Sequence, residues 1–417
     1  MAGLGLSAEI ALSHLLRRRR QSLVSVLGVA LGFGFFIAMA AMMQGFQKDF
    51  VARVIDVQPH VVIKDEFRRP PRQPVYDLYP AAEIGLRGLK PREEVRGIRN
   101  ARAVMDRLRR VPGVALAPTL SGQVLLRFGS RDVAATAIGI EPESERRVSN
   151  LEKDLVAGTL DALRATANGI ILGEGVAQKA GVGMDDLISV VSPDGTVMKM
   201  KVVGIVSTGI TTVDNFETYM LLKKAQILQG RLDVVNRIRL KLDDVEQAQA
   251  LAARIEGQVG YRTESWQESN SNVLGIFVIQ NAIMYSTVGA ILLVACFGIF
   301  NIISTVVFEK SRDIAIIKAI GFPESAIRRI FVLEGLAVGC VGTLCGWMLG
   351  LFLTELLASI DFRIEGFIKT QGFILHRTVT HYLIAGGFSI AAATFAAWLP
   401  ARRAARLNPV DIVRGAA

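Results

Sequence analysis

No Asp, Glu, Lys or Arg occurs between Glu268 and Glu309. About 20 apolar residues suffice to cross a bilayer, so an uncharged stretch of this length belongs in lipid rather than in a soluble core. The character then changes abruptly. Glu309, Lys310, Arg312 and Asp313 arrive together, followed by Ile314, Ile317 and Ile320 at i, i+3 and i+6, with Lys318 outside that stripe. This pattern predicts a short amphipathic helix. Gly321 is placed to end it, Pro323 to start the next helix, and Glu324 to suit that helix's positive end. Two readings fit such a helix between two spans: it lies on the lipid headgroups, or it docks a soluble partner.

Three further apolar runs resemble the first. The expected organisation is a cytoplasmic in-plane amphipathic helix at 1–21, a first span at 22–44, and an α+β extracytoplasmic domain at 45–275. A second span with a stalk follows at 276–308, then the short helix and its loop at 309–329, and a third span at 330–357. An outer loop at 358–380, a fourth span at 381–400 and a tail at 401–417 complete it. The expected fold is thus an α-helical membrane protein with four transmembrane helices and a large domain inserted between the first two. The hydrophobic fraction of 51% and the mean hydropathy of +0.38 agree with a chain partly solvated by lipid.

The formal charge of +10 invites a nucleic-acid reading, but position argues otherwise. Arg17 to Arg20 abut the first span, Lys310 to Arg329 carry the second loop, and Arg402, Arg403 and Arg406 follow the last span. Basic residues at span ends set topology, and here they place both termini in the cytoplasm. No nucleic-acid partner is expected. Cys296, Cys340 and Cys345 all fall in apolar segments, so no disulfide framework is indicated, and no ligand set for a metal accompanies them.

Within the polar domain, strands are predicted at 60–64, 123–128, 132–140, 187–191, 196–206 and 234–242. Helices are predicted at 101–110, 175–180, 222–228 and 245–256. Pro193, Asp194 and Gly195 make the turn of a hairpin. Strands and helices mix without a βαβ beat, which argues for α+β. Gly173, Gly175 and Gly181 do not have the spacing of a phosphate loop and are read as turn and cap positions. Residues 66–100, rich in Pro and Arg, read as an extended insertion or a partner-binding arm.

No catalytic motif is found: no G-x-S-x-G, no H-E-x-x-H and no Walker A lysine. His376 and His381 read as interfacial residues at the outer boundary. Glu334 is an intramembrane carboxylate, by default a functional candidate and equally a structural one near the cytoplasmic end. Gly28, Gly32, Phe35 and Met39 form a stripe on the first span that suits close helix packing or a substrate path.

Several stretches together resemble the FtsX/MacB-type ABC permeases, and among them the lipoprotein-releasing permeases of LolC/LolE type. They are IALSHLLRRRRQSLVSVLGVALG and MQGFQKDF at the first span, then NIIS, EKSRDIAIIKAIG and IRRIFVLEG around the second loop, and LPARRAARLNPVDIVRG at the end. Weaker echoes, GIEPESE, LVAGTL, GIILGEGVA, VVGIVSTGI and DNFETYM, run through the polar domain. The resemblance implies a permease in the bacterial inner membrane that pairs with a second copy or a paralogue and with a cytosolic ABC ATPase dimer. ATP and Mg would bind to that ATPase, and no cofactor to this chain. It further implies that Glu309, Lys310, Arg312, Asp313, Ile314, Ile317, Lys318, Ile320 and Gly321 receive the push of the ATPase. The cargo would be an amphiphilic lipoprotein or lipid, handed to a periplasmic chaperone or adaptor. Two alternatives stand beside it: a split MacB-like efflux permease with a periplasmic adaptor, and an FtsX-like transmitter that activates a wall hydrolase.

Overall fold

The computed structural model describes residues 11, 13, 19–67, 78–79, 97–360, 363–365, 369–371 and 373–406. Most of the expected in-plane helix, most of the 66–100 insertion, and the tail beyond Arg406 lie outside the described residues. The chain divides into two compact units, one holding the long apolar helices and the other spanning Phe50–Leu274 with Arg363–Thr370.

Five helices carry the first unit: α1 (Arg19–Val57), α2 (Ser271–Glu309), α3 (Ser311–Ala319), α4 (Glu324–Ala358) and α5 (Val379–Ala405). All but α3 are long and apolar enough to cross a membrane. Lipid tails are as apolar as Leu, so helices there gain little by hiding Leu and associate through close packing instead. α4 shows how. A Cβ on Gly335 or Gly339 would meet the Cβ of Ala397 or Ala393 of α5 at 2.3 and 2.8 Å. At Gly342, Gly346 and Gly350 it would meet Val29, Phe33 and Ile37 of α1 at 2.6 to 2.9 Å. This glycine row, recurring at i+4 and i+3, lets α4 sit between two partners. One polar group within that packing is paired across helices: Trp347 Nε1 donates to the Tyr382 carbonyl at 3.1 Å.

The second unit is built on ten strands: β1 (Val61–Lys64), β2 (Val114–Phe128), β3 (Arg131–Ile140), β4 (Leu155–Gly158), β5 (Gly169–Gly173), β6 (Leu187–Val191), β7 (Val197–Val206), β8 (Glu217–Leu221), β9 (Arg237–Leu242) and β10 (Thr263–Ser265). Their order is β10-β1-β9-β2-β3-β8-β5-β7-β4, with β6 bridging β2 and β7. Two pairs, β3 with β8 and β5 with β7, are parallel within an otherwise antiparallel sheet. Alternation sends Ile170 and Leu172 into one apolar cluster and Ile171 into another, so this part of the sheet is covered on both faces.

β2 joins the two halves of the sheet. Its first part pairs with β9 and its second with β3 and β6. At the changeover the Asn236 side chain acts as a strand would: it donates to the Ser121 carbonyl at 2.7 Å and accepts from the Ser121 N–H at 2.9 Å. The β6–β7 hairpin turns at Gly195, whose φ of 85° favours glycine. Gly173 N-caps and Gly181 C-caps the helix Glu174–Ala180, the latter at φ 71°. Those two glycines are cap positions, as their spacing indicated; Gly175 lies inside the helix.

Candidate functional site

The short helix α3 occupies the link between α2 and α4, and three contacts fix its attitude. Ile314 and Ala315 are buried, and Ile314 joins the cluster that also holds Val306, Val307, Ile327 and Phe331. Lys318 Nζ donates to the carbonyl of Ala405 at the end of α5 at 2.7 Å, and lies 3.5 Å from Glu324. A cation among the last carbonyls of a helix also complements that helix's dipole. Lys310 closes the helix start onto Asp313 at 2.6 Å.

The C-terminal stop is fully formed. Phe322 N–H bonds the Ile317 carbonyl, Gly321 N–H bonds the Lys318 carbonyl, and Gly321 takes a φ of 106°. This is a Schellman closure, which needs glycine at that position.

The stripe expected to meet a partner is therefore redistributed. Ile314 is turned inward, so it is not available to another protein, and Lys318 is engaged within the chain. Successive steps of three residues lose about 60° on a 3.6-residue helix, so Ile320 stands far around from Ile314. The outward face holds Ile316, 54% exposed, and Ile320, 76% exposed, with Phe322 beside them. Ile317 is half-buried between the two faces. Arg312, Asp313 and Gly321 are exposed, as is Glu309 at the end of α2. Ile316 lies outside the i+3 stripe; the i, i+4 pair it makes with Ile320 was the available signal. The result is an apolar knob rimmed by charge, held rigidly by its own chain, and suited to entering a cleft.

The four residues of the first span separate as well. Gly28 has nothing within 4 Å of its missing Cβ, whereas at Gly32 a Cβ would meet Ile291 of α2 at 2.8 Å. Phe35 is exposed and Met39 half-buried. Gly32 is thus a packing position, while Gly28 and Phe35 face outward from the unit. Glu334 is buried, 4% exposed, on the inner face of α4 next to Gly335.

A polar layer at the other end of this unit was only partly foreseen. His376 Nε2 lies 2.7 Å from Lys48 Nζ, its backbone N–H bonds the Ala41 carbonyl at 2.9 Å, and Arg377 pairs with Glu355 at 2.7 Å. Gly45 makes this possible, since a Cβ there would stand 1.9 Å from the Ile374 carbonyl oxygen. The side chain of His381 lies outside the described residues.

Comparison with known proteins agrees with this architecture. The model of the MacB-like periplasmic core domain matches residues 22–258, and that of the FtsX-like permease C-terminal matches residues 285–409. The chain is 28% identical over 442 aligned positions to the lipoprotein-releasing system transmembrane protein LolC of Xylella fastidiosa strain Temecula1, covering 98% of each chain. It is 26% identical to the LolE protein of Haemophilus influenzae over 93% of each. It is 22% identical to the macrolide export ATP-binding/permease protein MacB of Shewanella sp. strain ANA-3, covering 97% of this chain and 59% of that one. The matched segments together take in the four long helices and the intervening α+β domain, and the chain belongs to the FtsX/MacB-type ABC transporter permeases, multi-pass proteins of the inner membrane.

Proposed function

We propose that this chain is the permease subunit of an ATP-driven transporter that extracts or exports an amphiphile, a lipoprotein or a lipid, from the outer leaflet of the inner membrane. The observation that carries the coupling is α3: Ile314 and Ala315 anchor it inside, Lys318 ties it to the end of α5, and Ile316 and Ile320 remain outside. A rigid helix with an exposed apolar tip can transmit a push; a loosely lying surface helix would absorb it. The pusher is a separate cytosolic ABC ATPase dimer, which binds the ATP and Mg. Glu309, Arg312 and Asp313 set orientation as rim charges. The basic span ends support an orientation with both termini in the cytoplasm and the Phe50–Leu274 unit outside it.

A second permease, identical or paralogous, completes the machine, and the outward stripe of Gly28 and Phe35 borders the lateral path for acyl chains. End-to-end similarity to proteins named for lipoprotein release supports an acylated cargo, passed to a periplasmic chaperone or adaptor. The test is to purify the permease together with a co-expressed ABC ATPase from the same genome and identify what co-purifies by mass spectrometry. An acylated protein or lipid at near-stoichiometric amount is expected. A wall hydrolase with no amphiphile would instead assign the chain to signalling.

A further inference from the structure

The second unit contains a polar cavity of about 190 Å³ for which the transport reading has no use. A single ordered water needs roughly 10–15 Å³ of such space, so the cavity is far larger than one structural water requires. Its floor is one face of five neighbouring strands. Lys64 of β1 stands in register with Arg237 of β9, and Arg237 with Thr119 of β2. Ser121 of β2 is in register with Ile138 of β3, and Ile138 with Tyr219 of β8. All six line the cavity, as do Glu217 and Arg239.

The charges do not cancel evenly. Arg239 is neutralised by the buried Glu145 at 2.8 Å, and Lys64 by Glu264 at 2.5 Å. Arg237 has no ion-pair partner among the described residues and is exposed. The carboxylate in the lining, Glu217, accepts the Tyr219 hydroxyl at 2.6 Å. Burial pushes the Glu217 carboxyl up, against the opposing pull of that hydrogen bond and of Arg239 and Arg237. The lining as a whole holds three cations, Lys64, Arg237 and Arg239, against this one carboxylate. The Ser121 hydroxyl makes no hydrogen bond among the described residues, although its backbone is fully engaged with Asn236. A cavity lined by a guanidinium with no ion pair, by an ammonium already held by Glu264 and by a spare hydroxyl is suited to an oxyanion. Donors on three strands suit an anion whose oxygens point in several directions, which a phosphate offers and a planar carboxylate does not.

We propose that this cavity binds a phosphate group, carried on a lipid headgroup or as the free ion, with Arg237 as its principal cation and Lys64 and Ser121 as supporting donors. The site stands apart from the ATPase-docking reading and is testable without transport. Full-length permease in a maltoside detergent free of phospholipid is titrated calorimetrically with glycerophosphoethanolamine, with inorganic phosphate, and with glycerol as the uncharged control. Saturable binding of a phosphate-bearing probe is expected, weakening as salt is raised. Arg237→Gln should weaken it about tenfold or more, the loss of a charge-assisted contact, and Ser121→Ala by a smaller factor. Lys199→Gln, exposed on β7, should leave it unchanged. Binding of the headgroup alone assigns a lipid source, and binding of phosphate alone assigns the free ion. No saturable binding of either, or wild-type affinity in Arg237→Gln, overturns the proposal.

Discussion

Along α4, Gly335, Gly339, Gly342, Gly346 and Gly350 bring neighbouring helices to within a methyl group's width. Along β5, Ile170, Ile171 and Leu172 are all fully buried, on alternating faces. The contrast follows from the solvent. In water, removing aliphatic surface is itself the driving force, so bulky residues line the buried positions. In lipid that gain is absent, and contact is increased by deleting side chains so that helix backbones approach. The two units of one chain thus spend glycine and leucine in opposite ways.

That contrast can be broken by substitution. Leu172→Ala, in the outer-domain core, should cost about 2–5 kcal/mol of that unit's stability. The melting midpoint reported by Trp266 in a variant lacking Trp347 and Trp398 would show it; a loss below about 1 kcal/mol would mean that this core is loosely packed. In the membrane unit the damaging change runs the other way. Gly346→Leu forces a side chain into Phe33, whose Cβ lies 2.6 Å from the position a Cβ would take. It should cost about 1–3 kcal/mol, read through Trp347. Gly28→Leu, with open space around it, should fall within about 0.5 kcal/mol in monomeric detergent-solubilised protein. Equal losses at Gly346 and Gly28 would remove the distinction drawn between them.

The smallest expected effect sharpens the outer domain's electrostatics. His60 is 2% exposed, and burial holds its imidazole below the usual value of 6.5. Its Nδ1 accepts from the Leu242 N–H at 3.1 Å, and Nε2 lies 3.2 Å from the Ile55 carbonyl, a pattern that suits the neutral ring. Between the lowered value and 6.5 the unfolded chain binds more protons than the folded one. Stability therefore rises with pH through that window and is lost as pH falls below about 6.5. His60→Gln should flatten the dependence of the Trp266 midpoint between about pH 7 and pH 5. An undiminished slope would place the titrating group elsewhere.

How much of this was legible varied with the kind of signal. Uncharged runs reveal spans because lipid penalises every charge, and each of the four long helices covers one. The β6–β7 hairpin was readable from Pro193, Asp194 and Gly195, and the stop at Gly321 from a lone glycine before Pro323. The start of β2 was not. Val114 to Gly122 contains Ala, Pro118, Ser and Gly, poor strand formers held in place by pairing with β9 and β3. β5 is five residues of uninterrupted burial, too short for periodicity to declare itself. The length of α1 was hidden too, because past Met43 its polar residues look like the start of a soluble domain, yet the helix runs on to Val57. In the proposed docking site, the composition of α3 was plain from sequence. Which isoleucines face outward was not, because that depends on α4 and α5 packing against one side of it.

The central claim is that the exposed tip of α3 receives force from a separate ATPase, and Ile320→Asp tests it most directly. Burying an isoleucine in a cleft contributes about 1.5–3 kcal/mol, so capture of the ATPase by purified permease should fall by about 10- to 100-fold. The Trp347 melting midpoint should stay at the wild-type value, because Ile320 touches solvent rather than the unit's own core. Wild-type capture by Ile320→Asp, with stimulated ATP hydrolysis intact, would contradict the account.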